Sequence, residues 1–529
     1  MSMTLPDTQL NSTELLSSMT PEQKLGQLFL INLNGIEADQ DFIKLEETYH
    51  FGNVYLSGQN LRSPEQVQQL NRQLRHLITD ASGGIPPILA IDEEGGSASQ
   101  FPFYITRTPG NFTLGAAHNP EITKALGQAL GNDLNDLGFN MLLGPVLDLC
   151  RSHSDQVIGV RAYSDNPLLA ASLGTAFAQG VEAGGCGCTF KHFPGYGDMA
   201  MHDGVFCNTS TYDELLHGDV YPFAQAILSG ARSIMAGQIV LPNLTSEAPQ
   251  LPATLSKEII QHLLREQLNF SGVVIADGAM APNISNAKGA LLAFSAGVDI
   301  IKPDSIAICC AMYKSLHTKL MRGKISMDEL DRHVMRILCL KQQLALLKKQ
   351  RQIMSQLEKS SWLKRALRSS VTLLRDQRNL VPLPADKAKA LIISPRLEKP
   401  GILDDNATDI YTFGDYMSLL FSEAHVRRVS GFFSQAEEQA LLDAARKVDI
   451  VIIGSEDAHL HPHYLNLINR LSEICPTIAV LLRSPYDAAL LHESVTVIGA
   501  FTHTAAAMEA VALVLEGKIP PRGKLPLEA

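Results

Sequence analysis

The sequence predicts an α/β chain in which a (β/α)8 barrel of the TIM type is followed by a smaller α/β sandwich domain. Eight short β-rich apolar runs recur in the first two thirds of the chain, separated by stretches of helical periodicity, the pattern of repeated βα units. These runs tend to end in ionisable residues, as expected at the C-terminal, ligand-binding edge of a parallel barrel. After Asn379-Leu380-Val381-Pro382-Leu383-Pro384, an extended connector because residues before proline avoid the α conformation, a second and shorter rhythm of strands and helices begins.

In chain order, the start is polar until Thr20-Pro21-Glu22-Gln23, where a capping threonine, a proline and a glutamine open a short helix. The eight runs are Leu28–Leu33, Gly52–Ser57, Pro87–Asp92, Asn140–Asp148, Cys186–His192, Arg232–Val240, Gly272–Asp277 and Gly297–Lys302. Between them, Pro64–Ile78 places Val67, Leu70, Leu74 and Ile78 on one helical face. Glu121–Leu137, Asp213–Leu228 and Ser256–Gln267 are further helices. Met327–Lys348 is a basic amphipathic helix with Leu330, Val334, Ile337, Leu340, Leu344 and Leu347 on one face. The basic stretch near Lys341–Arg368 has as its simplest reading a solvated helix face.

The second rhythm has strands Ala390–Ser394, Val426–Val429, Val448–Gly454, Thr477–Leu482 and Val495–Phe501. Helices Gln435–Lys447, Tyr464–Ile474 and Ala505–Glu516 lie among them. No G-x-G-x-x-G follows a strand, so a dinucleotide fold with that fingerprint is not expected. The expected division is a barrel at 1–345, a linker at 346–387 and the sandwich at 388–529.

The strand ends carry the chemistry. The third run ends in Asp92-Glu93-Glu94, the fourth in Asp148, the fifth in Lys191-His192, the seventh in Asp277 and the eighth in Lys302-Pro303-Asp304. Part of this pattern is ordinary loop polarity. Phe190–Gly204 (F-K-H-F-P-G-Y-G-D-M-A-M-H-D-G) is the focus: a strand ending in a cation and an imidazole, then a glycine-rich break. His202 and Asp203 follow on what should be a mobile loop, and a turn with two solvated polar residues is the bland alternative.

A net charge of −11 leaves no basic excess to neutralise phosphates, so neither a nucleic-acid nor an anionic-membrane partner is expected. The eight cysteines show no C-x-x-C pair and read as reduced core residues, which suits a reducing, cytoplasmic setting. Neither a signal peptide nor a transmembrane run is expected.

Several pieces, in order, resemble glycoside hydrolase family 3 in its β-N-acetylhexosaminidase branch. Ile91–Gly96 is similar to I-D-Q-E-G-G, Gly144–Asp148 to A-P-V-L-D and Val157–Tyr163 to V-I-G-x-R-S-F. Lys191–Gly197 resembles K-H-F-P-G-H-G, Pro252–Ser256 matches P-A-T-L-S, and Gly272–Asp277 resembles G-V-I-x-x-D. Ser370–Arg375 and Arg522–Pro526 resemble the flanks of the family's second domain. The resemblance implies a barrel followed by a sandwich and a retaining exo-β-N-acetylhexosaminidase that releases terminal N-acetylglucosamine, plausible substrates being peptidoglycan fragments. It implies a small carbohydrate substrate and no cofactor or metal.

The resemblance makes Asp277 the nucleophile, although the same aspartate would also suit a helix N-cap. It places Asp92, Arg161, Lys191 and His192 at sugar-binding positions. Where the branch carries an acid/base D-S-H, this chain has His202, Asp203 and Gly204. The family's A-H near strand six reads Gly237-Gln238, and its E-G-G-R arginine reads Ser97. Either His202 with Asp203 forms a rearranged acid/base pair, or the chain is a degenerate member that binds amino sugars. A third reading is a family 3 β-glucosidase whose acid/base comes from the second domain, for which Glu456 is a position.

Overall fold

In the computed structural model, residues 12–96, 98–151, 157–197, 200–202, 205–245, 251–278, 287–384, 388–395 and 413–528 are described. They form an α/β fold of largely parallel sheets in two compact units. The first comprises Met1–Asp92, Gly131–Pro145 and Val181–Gln352; the second comprises Glu93–Leu130, Val146–Gly180 and Ile353–Ala529.

In the first unit, β1 (Leu30–Asn32), β2 (Asn53–Leu56), β3 (Ile88–Ile91), β4 (Met141–Leu142) and β5 (Gly187–Cys188) form one parallel sheet in chain order. Thr189 alone separates β5 from β6 (Phe190–Phe193). β7 (Ala200–His202) and β8 (Val205–Cys207) come next, then β9 (Ser233–Ala236), β10 (Ile239–Val240), β11 (Val273–Ala276) and β12 (Ile300–Ile301). A second parallel sheet runs β12-β11-β9-β6. A parallel bridge joins Phe29 to Ile301. All eight expected runs therefore contain strand, two of them split in two, and they are continuous apolar runs because both sheet faces are covered.

The helix Pro64–Ala81 shows how the sequence sets the packing. Ser63 caps it by accepting from the Gln66 N–H at 3.3 Å, and Pro64 fixes its first turn. Val67, Leu70, Leu74 and Ile78 are all buried, as their spacing predicts. Each such residue contributes about 1.5–3 kcal/mol of apolar burial. The expected capping box at Thr20 is also present, with Gln23 bonding back to the Thr20 N–H. Helix Met327–Lys349 departs from its expected pattern. Leu347 is only partly buried, while His333 and Lys341 are buried with the leucines.

Both buried polar residues have partners. Lys341 Nζ donates to Gln27 Oε1 at 2.6 Å and to the Gly52 carbonyl at 2.9 Å, and burial pushes its pKa down to about 7. His333 Nδ1 lies 2.8 Å from Asp299, which also accepts from Arg336, Arg265 and the Val274 N–H. Burial alone would raise the pKa of Asp299. The His333 bond and the two guanidinium charges outweigh it and hold the carboxyl below its ordinary value. This network lies just before β12, at the strand end opposite Lys302.

In the second unit, one six-stranded sheet runs β13-β18-β17-β16-β14-β15. The strands are β13 (Thr372–Arg375), β14 (Lys389–Pro395), β15 (Glu423–Val429), β16 (Ile450–Ser455), β17 (Thr477–Leu481) and β18 (Thr496–Gly499). Only the edge strand β13 is antiparallel. Alternation along β14 sends Ala390 and Ile392 to one hydrophobic layer and Leu391 and Ile393 to the other. Helices Gln435–Ala445 and Pro462–Ile474 cover the second layer, and Gln356–Ser370 and Ala505–Leu515 cover the first. Helices thus cover both faces of this largely parallel sheet, a doubly wound pattern.

Candidate active site

The candidate residues of the first unit follow or occupy the ends of its strands. Asp92 follows β3, and its carboxylate accepts from Lys191 Nζ at 2.7 Å and from the Tyr55 hydroxyl at 2.9 Å. Lys191 is 3 % exposed, so this is a largely desolvated ion pair. Lys302, just after β12, holds its ammonium 4.4 Å from the centre of the Tyr55 ring. The strand ends of β2, β3, β6 and β12 thus meet in one polar group.

A second group surrounds Asp277. Its N–H donates to the Ala236 carbonyl at 3.2 Å, which anchors the end of β11 on β9. Gln238 donates from its side-chain amide to the Asp277 carbonyl and accepts from Thr254 Oγ1 at 3.2 Å. The Gln238 N–H donates to the Tyr196 hydroxyl at 3.3 Å, and the Tyr196 ring meets His192 edge-on with centroids 5.2 Å apart. His192 and Asp277 are therefore linked through Tyr196 and Gln238. Glycine at 278 has a local cause: a Cβ there would run into the carbonyl oxygen of Lys302, so only glycine lets β11 and β12 close together beside Asp277.

The stretch after His192 is not a plain loop. Gly195 adopts φ +109° and packs against Asp219, a conformation that suits glycine. Ala200–His202 then pairs antiparallel with Val205–Cys207, and β8 continues into parallel pairing with β10. The expectation of a loop is thereby corrected for the His202 backbone, which is strand. The cause is a strand partner far along the chain, Ile239–Val240, which local sequence does not reveal. Asp203, Gly204 and Ser97 lie outside the described residues.

Arg161 belongs to the second unit. Its guanidinium clasps Glu94 through both carboxylate oxygens, at 2.7 and 2.9 Å, and donates to the Val157 carbonyl at 2.8 Å. This fork fixes its orientation. Neighbouring Glu93 is 1 % exposed. One of its oxygens accepts from Ser99 Oγ at 3.1 Å and the Gln100 N–H at 2.9 Å, while Oε1 accepts nothing among the described residues. Burial pushes its pKa from 4.5 up to about 7, against the pull of those bonds and of Arg107. A raised folded pKa gives stability that is complete below the unfolded value and lost as pH rises through the folded one. Glu93→Gln should therefore stabilise the fold by up to about 3 kcal/mol at pH 8.5 relative to its effect at pH 4.5. Urea unfolding at the two pH values checks this, and an equal effect at both would refute it.

Glu456 follows β16 in the second unit, beside a cluster built around buried Asp487. Asp487 accepts from Ser455 Oγ at 2.6 Å, from the Ala458 and His459 N–H groups, and lies 2.8 Å from His459 Nδ1. The Asp487 bond raises the His459 pKa. Among the described residues, no group of three or more His, Cys, Asp or Glu side chains could hold a metal.

The sequence model described as "Glycosyl hydrolase family 3 N terminal domain" matches residues 20–340. The chain belongs to glycosyl hydrolase family 3. Among its relatives, Beta-hexosaminidase A of Pseudoalteromonas piscicida is 30% identical over 49% of this chain and 46% of its own length. The chain thus spans about half of that relative. Beta-hexosaminidase of Haemophilus influenzae is 29% identical over 51% of this chain and 78% of its own. A solved family 3 beta-N-acetylglucosaminidase from Paenibacillus sp. is 30% identical, with a TM-score of 0.88 over 97% of this chain and 99% of its own.

In this family 3 chain, Tyr55 and Tyr196 have no role that the sequence alone reveals. Tyr55 lies inside an apolar strand with no ionisable neighbour to mark it. Tyr196 was legible in principle, since it stands where the quoted K-H-F-P-G-H-G has histidine.

Proposed function

We propose that this family 3 hydrolase is a retaining exo-β-N-acetylhexosaminidase. The observation that carries the reading is the pairing of Asp92 with the buried Lys191 at the same strand edge as Asp277. The names of the relatives, which describe hexosaminidases, support it. In this reading Asp92, Lys191, His192 and Arg161 hold sugar hydroxyls, since a carboxylate accepts and the cationic and imidazole groups donate. Asp277 attacks the anomeric carbon and forms a covalent glycosyl-enzyme while His202 protonates the departing oxygen. The same histidine then activates water, which releases the sugar. Asp203, adjacent to His202, completes the acid/base pair. Terminal N-acetylglucosamine on peptidoglycan fragments, met in the cytoplasm, is the proposed substrate.

The same reading takes residues 1–345 as a closed (β/α)8 barrel, 346–387 as a linker and 388–529 as an α/β sandwich. The bridge from Phe29 to Ile301 and the single residue between β5 and β6 support closure. Among the described residues, no helix is long and apolar enough to cross a membrane.

The acid/base assignment is tested through leaving groups. His202→Ala should slow an alkyl N-acetylglucosaminide by roughly 10²–10⁴-fold but leave a nitrophenyl glycoside much less affected, because a phenolate departs with little protonation. Equal effects on both substrates would remove His202 as the acid. Binding of N-acetylglucosamine without turnover of either glycoside would favour a degenerate amino-sugar binder, the reading that the replaced D-S-H residues keep in play.

A further inference from the structure

The basic stretch that the sequence offers as a solvated helix face forms one side of a groove in the second unit. Ser361, Lys364, Arg365 and Arg368 recur at i, i+3, i+4 and i+7 along helix Gln356–Ser370, so they share one face. With Ser369 they line a cavity of about 400 Å³ whose opposite side is formed by Ile519, Pro520 and Arg522. Four cationic residues and two serines thus line one concavity in a chain with a net charge of −11.

We propose that this groove binds a small oxyanion ligand carrying two or more phosphate-type groups. Charge balance within the groove supports this. Among the described residues, Lys364, Arg365 and Arg522 have no carboxylate partner, and Arg368 has only Glu509 at 3.9 Å, both about half exposed. Two other exposed cations of this unit have acids at short range, Arg446 with Asp443 at 2.6 Å and Lys389 with Glu423 at 2.9 Å. Cations late in a helix also complement its dipole. That accounts for Arg368, in the last turn, but not for Lys364 and Arg365 farther back, nor for Arg522 from a separate segment, nor for the concavity.

The geometry matches the ligand. Guanidinium groups present planar forks that bind phosphate oxygens in pairs, Lys364 adds a point charge, and the serine hydroxyls donate hydrogen bonds. A volume of 400 Å³ lies in the range of small-ligand sites and exceeds what a single phosphate fills. Binding here is independent of the glycosidase reading.

The chain supplies its own probe. Trp362 is the single tryptophan, and the Arg365 guanidinium lies 4.9 Å from its ring centre. An anion that draws on Arg365 changes the surroundings of Trp362 and hence its emission. Inorganic pyrophosphate titrated into the full chain at fixed ionic strength should give a saturable fluorescence change. Calorimetry should show one site with Kd below about 1 mM. Arg522→Ala should weaken binding by about tenfold or more, because each charge-assisted contact is among the stronger hydrogen bonds. Arg365→Ala, followed by calorimetry since it also disturbs the fluorophore, should do the same. Arg446→Ala, outside the groove, should leave Kd unchanged. Saturation with unaltered Kd in Arg522→Ala, or no saturable signal or heat up to about 10 mM pyrophosphate, overturns the proposal.

Discussion

Asp277→Asn lowers the turnover of an N-acetylglucosaminide by on the order of 10⁴-fold or more, because the attacking group itself is lost. The substitution keeps the shape of the side chain and removes its charge. The backbone bond from the Asp277 N–H to the Ala236 carbonyl does not involve the side chain, so the end of β11 stays in place. Binding of free N-acetylglucosamine should therefore change little while the chemical step fails, since the interaction lost is made mainly in the transition state. The leaving group separates this variant from His202→Ala. An amide at residue 277 stops formation of the glycosyl-enzyme with any aglycone, so nitrophenyl and alkyl glycosides slow together. Steady-state kinetics with both substrates and calorimetry with the free sugar make the measurement. Unaltered kcat on either substrate would show that Asp277 is not the nucleophile.

How much of this was legible before the structure depends on what each residue answers to. The strands were legible because both faces are buried: continuous runs such as Val273–Ala276 and Ile450–Ile453 read the same in sequence and in space. The helix Pro64–Ala81 was legible because cap, proline and apolar spacing agree. β13 was not, because Thr372–Arg375 is short and lies at an edge, and its identity as a strand comes from pairing with β18, far along the chain. The hairpin at Ala200–His202 escaped for the same reason. The ends of the runs pointed to Asp92, Lys191, His192 and Asp277 because an ionisable residue closing an apolar run has few structural uses. The partners that orient them left fainter signals. Glu94 stands in an acidic pair that could equally be loop polarity. Gln238 shows only as a departure from A-H, and Tyr55 is one more aromatic in a strand. Lys341 shows the converse limit: it opens a basic stretch that reads as a solvated helix face, and only tertiary contact with Gln27 and Gly52 explains a lysine among the buried leucines.

The pair at the centre of the site is also expected to matter for folding. Lys191 is 3 % exposed, and its ammonium has Asp92 at 2.7 Å. Asp92→Ala removes this carboxylate from beside a buried ammonium, and such breaks cost about 3–5 kcal/mol. Had the pair been a surface one, the cost would be about 0–1 kcal/mol. Asp92→Asn should cost less than Asp92→Ala, because the amide oxygen can still accept from Lys191 while the amide NH2, in place of the second carboxylate oxygen, can donate to the Tyr55 hydroxyl oxygen. The double variant Asp92→Ala with Lys191→Met should recover part of the loss, since it removes the stranded charge together with its partner. Urea unfolding of the single and double variants measures the coupling directly. A coupling below about 1 kcal/mol would mean that water reaches Lys191 and that the pair is not desolvated. A strong coupling would fit an ion pair set in place before the sugar arrives, so that a bound hydroxyl meets an oriented carboxylate and little rearrangement remains at the moment of reaction.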